Sequence, residues 1–315
     1  MTPRRVRVRA PGKVNLQLSV GPAGPDGFHP LATVFQAVDL YETVTATLRE
    51  DSLITLTVDA VPALEGVVDG VPTDHVNLAW QAALSVREHF GVDAGVDLHI
   101  RKGVPVAGGM AGGSADAAAA LVACAELWDC GASKADLMSL AATLGSDVPF
   151  SLHGHTALGV GRGTELTPAM VRGEYHWVFA TQAEGLSTPS VFREFDRLAA
   201  ESGQEPAAPQ VNTALMSALR SGDAEALGET LANDLQTAAF SLAPHLEDTM
   251  ESMRAADALG VIVSGSGPTV AALALSRQHA LSMAARVTAD KVADAVFTAT
   301  GPAQGAVIVD AGATS

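Results

Sequence analysis

The 315-residue chain is short of aromatic side chains (4%), of cysteine (two) and of positive charge, with 19 lysines and arginines against 35 aspartates and glutamates. A formal net charge of −16 argues against a nucleic-acid surface or an anionic membrane as partner, because both are held by a basic field. Two cysteines make no disulfide framework, and the spacing of Cys124 and Cys130 fits neither a zinc pair nor a redox pair, so both read as reduced core thiols. No apolar run follows the arginines of MTPRRVRVRAPGK, so neither a secretion signal nor a membrane anchor is expected, and the cytoplasm is the expected compartment. Scarce rings also mean that an aromatic in a loop needs a reason.

What the chain does have is apolar bulk, 48% of its residues, enough to bury a core and to divide into two domains. Its most informative stretch is Pro105 to Leu121, PVAGGMAGGSADAAAAL, a glycine-crowded turn running into an alanine-rich helix start. The first turn of a helix leaves N–H groups unpartnered and its end partly positive, so an anion docks there. Gly108, Gly109, Gly112 and Gly113 let backbone approach a ligand closely, and Ser114 suits the N-cap position. A Walker loop would need Lys-Ser or Lys-Thr after its last glycine, and the Gly-x-Gly-x-x-Gly spacing of a dinucleotide site is not met. The bland alternative is a small-residue helix contact reached through a flexible turn.

Along the chain, Val6 to Arg9 alternates as a strand, and Val14 to Val20 resumes after a break at Pro11-Gly12 that carries Lys13 and Asn15. Residues 31 to 40 and 43 to 59 read as further β segments, Leu78 to Phe90 as a helix ending near Gly91, and Val96 to Ile100 as a strand feeding the glycine loop. Helices are expected from Ala115 to about Trp128 and from Lys134 to Leu144, the second stopped by Gly145. Beyond the break at GVGRGTELTPAM come a strand at Tyr175 to Thr181, helices around Ala214 to Ala218, Ala224 to Leu231 and Leu246 to Asp257, and strands near Val261 and Val270. This mixed order predicts an α+β fold with domains at 1–162 and 163–315. His153 and His155 would face one way on a strand, and with no third ligand nearby they read as structural.

Three separated segments pair small residues with a polar group: APGKVN at 10–15, the loop at 105–116, and VIVSGSGPTVAAL at 261–273. In this order they resemble the three motifs of the GHMP kinases, the superfamily of galactokinase, homoserine kinase and mevalonate kinase. The resemblance spans nearly the whole chain. It implies a two-domain fold with a ribosomal-protein-S5-domain-2-like N-terminal unit and a ferredoxin-like C-terminal unit. DGFHPLATVFQAVDLYETV, VNLAW, LGSDVPF and GLSTPSVF look like one branch of it, whose acceptor is a cytidine-diphosphate sugar alcohol. That implies ATP- and Mg²⁺-dependent phosphorylation of a hydroxyl in the methylerythritol phosphate route to isoprenoids. The partner would then be a small molecule. A monomer or weak homodimer is expected, though no feature of the sequence sets it. Another small-molecule kinase of the homoserine or mevalonate type, or a catalytically silent nucleotide sensor, are the rival readings.

Residue by residue, the resemblance makes Asp147 the catalytic carboxylate and Lys13 the ammonium beside it, tasks that phosphoryl transfer demands of alignment and charge. Asn15 would help position the acceptor. Phe28 and Phe192 match the rings that sandwich the cytosine, His29 the residue reading its edge, with Thr188 beside the pocket. For ATP, Pro105 and the loop Ala107, Gly108, Gly109, Met110, Ala111, Gly112, Gly113 and Ser114 would cradle the phosphates, with Asn77 and Lys102 at the adenine. Gly265, Ser266 and Gly267 would bring the third motif against the loop and the acceptor's diphosphate. The family core Gly-Leu-Gly-Gly-Gly-Ser-Ser appears here with Ala111 and Ala115 in place of a glycine and a serine. A right-handed or extended backbone is therefore expected at Ala111. No acidic residue stands out as a metal ligand, so Mg²⁺ would rest on ATP oxygens, water and Ser114.

Overall fold

The computed structural model describes residues 3–64, 68, 70–106 and 108–311. In the first part of the chain come β1 (Arg5–Val20), β2 (Leu31–Arg49), β3 (Ile54–Ala60), α1 (Leu78–Phe90), β4 (Gly95–Lys102), α2 (Gly112–Leu127), α3 (Lys134–Leu144), α4 (Val148–His153), β5 (Thr156–Gly161) and β6 (Glu165–Pro168). The second part holds β7 (Tyr175–Thr181), α5 (Thr188–Ser202), α6 (Thr213–Ser221), α7 (Ala224–Glu229), β8 (Ala232–Asn233), α8 (Gln236–Leu242), α9 (His245–Ala255), β9 (Gly260–Val263), β10 (Val270–Ala274), α10 (Arg277–Asp290), β11 (Ala295–Gly301) and β12 (Val307–Ala311). The α+β reading holds.

One sheet runs β12-β1-β2-β4-β3, with β5 and β8 attached to β2 and β1 and β6 to β5. Chain order and sheet membership part company after residue 162, since β6, β8 and β12 all belong to this first sheet. The other sheet runs β11-β7-β10-β9, all antiparallel. Numbered within that unit the order is 4-1-3-2, which is the ferredoxin-like arrangement, with α5 to α9 in the first crossover and α10 in the second.

The expected break at Pro11-Gly12 is instead a slip inside one continuous strand. Pro11 pairs with Tyr41 and Gly12 with Val38, so two residues of β2 are bypassed where proline has no N–H to give. α1 and α3 occupy the predicted spans because both ends are written in side chains: Asn77 and Ser133 cap the starts, and Gly91 and Gly145 follow the last residues. α2 is buried nearly all round, Ala115 and Ala117 to Leu121 fully, and its small side chains let it sit centrally against α1, β1 and β2. A second core of Val14, Leu16, Val34, Tyr175, Trp177 and Phe179 joins the two sheets. Across it Trp177 Nε1 donates to Gln36 Oε1 at 2.9 Å. Helices α4, α5, α8 and α10 escaped the sequence reading; α5 shows its apolar face only as Val191, Phe192, Phe195 and Leu198 against Leu18, Val20 and Leu235.

Candidate active site

The slip in β1 turns Lys13 and Asn15 into a cleft of about 570 Å³ between the glycine loop and the third motif. Lys13 is held at both ends. Its backbone N–H donates to the Met110 carbonyl at 3.1 Å, and its Nζ donates to Asn15 Oδ1 at 2.6 Å. Asn15 Nδ2 donates to Thr33 Oγ1 at 2.8 Å, and the Thr33 hydroxyl donates to the Gln17 carbonyl at 2.7 Å, which fixes the amide with its oxygen toward the lysine. Burial pulls the Lys13 ammonium below the ordinary lysine value, and the Asp147 carboxylate, with Oδ2 at 3.7 Å, opposes that. Asp147 sits at the N-cap position of α4 yet makes no capping bond. Its side chain faces Lys13 instead.

Opposite lies the loop. Helix α2 begins at Gly112, earlier than expected, so Ser114 is its third residue and not its cap. The cap position is Ala111, at φ 61 and ψ 32, which corrects the expectation of a right-handed or extended backbone there. A non-glycine residue held left-handed costs about 1–2 kcal/mol, and here it leaves the first turn of α2 with no side chain capping it. Gly112, Gly113 and Ser114 line the cleft at a partly positive helix end whose first turn has no side-chain cap. At Gly109, φ 72, a Cβ would overlap the Ser264 carbonyl of the third motif, whose hydroxyl donates back to the Gly109 carbonyl at 3.2 Å. At Gly265, φ 59, a Cβ would stand 3.0 Å from Lys13 Nζ. Asn233 clamps this motif by donating to the Val263 and Gly265 carbonyls at 2.8 and 2.7 Å.

The far end of the cleft is more apolar, lined by Leu18, Leu31, Leu186, Leu235 and Phe192, with Thr188 Oγ1 2.9 Å from Ser266 Oγ. Thr188 and Phe192 lie on α5 and not in a loop. His29 is buried behind Phe192, ring centroids 5.1 Å apart, its Nδ1 donating to the Gly21 carbonyl at 2.8 Å and its Nε2 3.4 Å from Asp196. Phe28 is 54% exposed, with the Arg162 guanidinium 3.7 Å above its ring.

The structure gathers Lys13, Asn15, Gly108, Gly109, Ala111 to Ser114, Asp147, Thr188, Phe192 and Gly265 to Gly267 around one space. Two expected adenine contacts are not brought to it. Lys102 is buried with its Nζ 2.6 Å from both Glu42 Oε1 and Asp116 Oδ2, beneath Gly112. Burial and the Asp116 charge push the Glu42 carboxyl up to about 8. Asn77 spends its side chain capping α1, accepting from Ala79 N at 2.9 Å and donating to the Pro72 carbonyl at 2.7 Å. Pro105 backs Gly108, Met110 is fully buried beneath the loop, and Ala107 lies outside the described residues. His153 ends α4 and His155 follows at φ 55, so they share no strand face. Among the described residues no three acidic, histidine or cysteine side chains cluster as metal ligands. Sequence reasoning missed Thr33, Phe35, Ser146 and Arg162; alternation along β2 carried a signal for the first two, and the GVGRG turn for the last.

Comparison with known proteins identifies the family. The family models described as GHMP kinases N terminal domain and GHMP kinases C terminal match residues 77–155 and 215–294. A 4-diphosphocytidyl-2-C-methyl-D-erythritol kinase of Streptomyces coelicolor is 52% identical over 306 residues, 97% of this chain and 99% of its own. One of Thermobifida fusca is 50% identical over 311 residues, 98% and 99% of the two chains. A crystal structure of 4-(cytidine 5'-diphospho)-2C-methyl-D-erythritol kinase superposes with a TM-score of 0.75 at 30% identity, covering 93% of this chain and 98% of that one. The mevalonate kinase of L. major, at a TM-score of 0.74 and 16% identity over 94% and 96% of the chains, shares the fold. With all three motifs meeting in one cleft, the chain belongs to the GHMP kinases, and within them to the 4-diphosphocytidyl-2-C-methyl-D-erythritol kinase family.

Proposed function

We propose that the chain moves the γ-phosphoryl group of ATP to the 2-hydroxyl of 4-diphosphocytidyl-2-C-methyl-D-erythritol, giving the 2-phosphate and ADP, in the methylerythritol phosphate route to isoprenoids. The observation that carries the reading is the buried Lys13 Nζ 3.7 Å from Asp147 Oδ2 in a cleft walled by the glycine loop. The new bond joins the acceptor oxygen to the γ-phosphorus, the bond to the β-phosphate oxygen breaks, and the hydroxyl proton passes toward Asp147. Such a transfer asks chiefly for alignment and charge stabilisation, which the Asn15–Thr33 relay gives Lys13 and the non-capping pose gives Asp147.

The loop Gly108–Ser114 seats the triphosphate through amides at the start of α2. The cleft lining offers one carboxylate, Asp147, and the hydroxyl of Ser114 near the loop, a donor set suited to a hard cation that arrives with its nucleotide. When bound, Mg²⁺ would supply charge neutralisation for the phosphates of ATP, and Ser114 is the loop side chain that would hold it. Phe192 forms the cytidine side, with His29 buried behind its ring. No helix among the described residues is long and apolar enough to cross a membrane. A cytoplasmic enzyme with a small-molecule substrate is the reading that fits.

Coupled ADP release with ATP, Mg²⁺ and the cytidylated methylerythritol, run beside mevalonate and homoserine, tests this. Turnover confined to the first acceptor is expected. Its absence there, or preference for either of the others, overturns the assignment.

A further inference from the structure

Three ionisable side chains line the cleft among the described residues: Lys13, Asp147 and Arg162. The first two face each other where the phosphoryl group moves. Both substrates of the proposed reaction carry a polyphosphate, and a chain of net charge −16 offers them no general positive field. Arg162 is thus the one cation in the lining that is not committed to the transfer centre.

Its placement is built. Arg162 stands at the tip of the β5–β6 hairpin between Gly161 at φ 68 and Gly163 at φ 87, where Gly163 N donates to the Val160 carbonyl at 3.0 Å. β5 pairs along β2 from Leu31↔Gly161 to Gln36↔Thr156, which fixes the tip beside the Gly24–Phe28 turn. In that turn Asp26 Oδ1 accepts from Phe28 N at 3.1 Å, and Asp26 Oδ2 accepts from Arg162 Nη2 at 2.9 Å. The guanidinium lies 3.7 Å over the Phe28 ring. Phe28 itself is absent from the cleft lining, and Arg162 stands there in its stead. A guanidinium over an aromatic ring still turns its N–H edge outward, where it can hold two oxygens of one anion at once, a geometry that lysine does not offer. Asp26 and Arg162 are both more than half exposed, so the carboxylate is easily exchanged for another anion.

We propose that Arg162 determines acceptor specificity: its N–H edge takes the diphosphate of a pyrimidine nucleoside diphosphate while Phe28 holds its plane. This deepens the proposed function and rests on it for the identity of the acceptor.

The test compares wild-type protein with Arg162→Gln and Arg162→Lys, by calorimetric titration with cytidine 5'-diphosphate and with cytidine, and by steady-state kinetics. Losing a charge-assisted bidentate contact weakens cytidine diphosphate binding about tenfold or more in Arg162→Gln and raises the acceptor KM by a like factor. Cytidine affinity, the KM for ATP and kcat stay within about twofold, and Arg162→Lys falls between Arg162→Gln and wild type. Equal loss of cytidine and cytidine diphosphate, no loss of either, or a rise confined to the KM for ATP overturns the proposal. Failure of the wild-type protein to turn over the acceptor refutes the functional reading alone, since the diphosphate titration still decides the role of Arg162.

Discussion

Lys13 is a charge kept in a place that disfavours charge: 4% exposed, its pKa pulled down by burial, and satisfied by Asn15 and Asp147. Such an arrangement concentrates the ammonium's field where a phosphoryl group would pass. Asp147→Asn and Lys13→Ala are each expected to lower kcat by about a hundredfold or more, with melting and circular dichroism close to wild type for Asp147→Asn. Purified Asp147→Asn protein turning over at near-normal rate would remove the carboxylate from the reaction. At this scale the sequence was informative where a motif fixes backbone geometry: Lys13, Asn15, Asp147 and the third glycine motif all reach the cleft. It was not informative for Lys102, because the carboxylates that hold that lysine are Glu42, on another strand, and Asp116, inside α2. A motif match records which residue is present. It does not record which distant partner claims it.

Those three groups tie together β2, β4 and α2 directly under the phosphate loop, where a Cβ on Gly112 would lie 2.8 Å from Glu42 Oε1. Removing the lysine leaves two carboxyls buried without their partner. Lys102→Met is therefore expected to lower the unfolding free energy by about 3–5 kcal/mol, read by urea denaturation. The same triad has a pH signature. Glu42 rises from the ordinary 4.5 to about 8 in the folded protein, so between those values the native state binds more protons than the unfolded one and stability falls as pH rises. Glu42→Gln should flatten that fall over roughly pH 5 to 8, and an unchanged slope would show that Glu42 does not titrate there. Elements with side-chain punctuation, such as α1 and α3, were legible to the residue. β1 was misread as broken because Pro11-Gly12 looks like a stop, whereas a register slip accommodates both. α5 and α10 were hidden because long polar faces dilute their apolar stripes, which show only once α8 and β10 are packed against them.

The cleft exists only where the two sheets meet. Its loop comes from the first, its third motif from the turn between β9 and β10 in the second, and they touch through Gly109 and Ser264. Gly265→Ala tests that meeting: a left-handed alanine with its Cβ 3.0 Å from Lys13 Nζ must push the lysine or open the joint. A fall in kcat of about tenfold or more is expected, exceeding any loss the stability change explains. Wild-type kinetics would mean that the two halves bend apart freely. The two-sheet architecture itself followed from pattern and motif. The return of the chain from the second sheet to the first did not, because β12 is a short, half-exposed strand whose pairing with β1 is decided by geometry 300 residues away in the sequence.

That return has a bearing on biogenesis. Val6 to Arg9 pair with β2 on one side, but on the other their partners are Val307 to Ala311. A ribosome making this protein therefore releases strand β1 with one border open, and keeps it open until residues 307–311 have emerged. Nascent or prematurely terminated chains offer that border to strands of their neighbours.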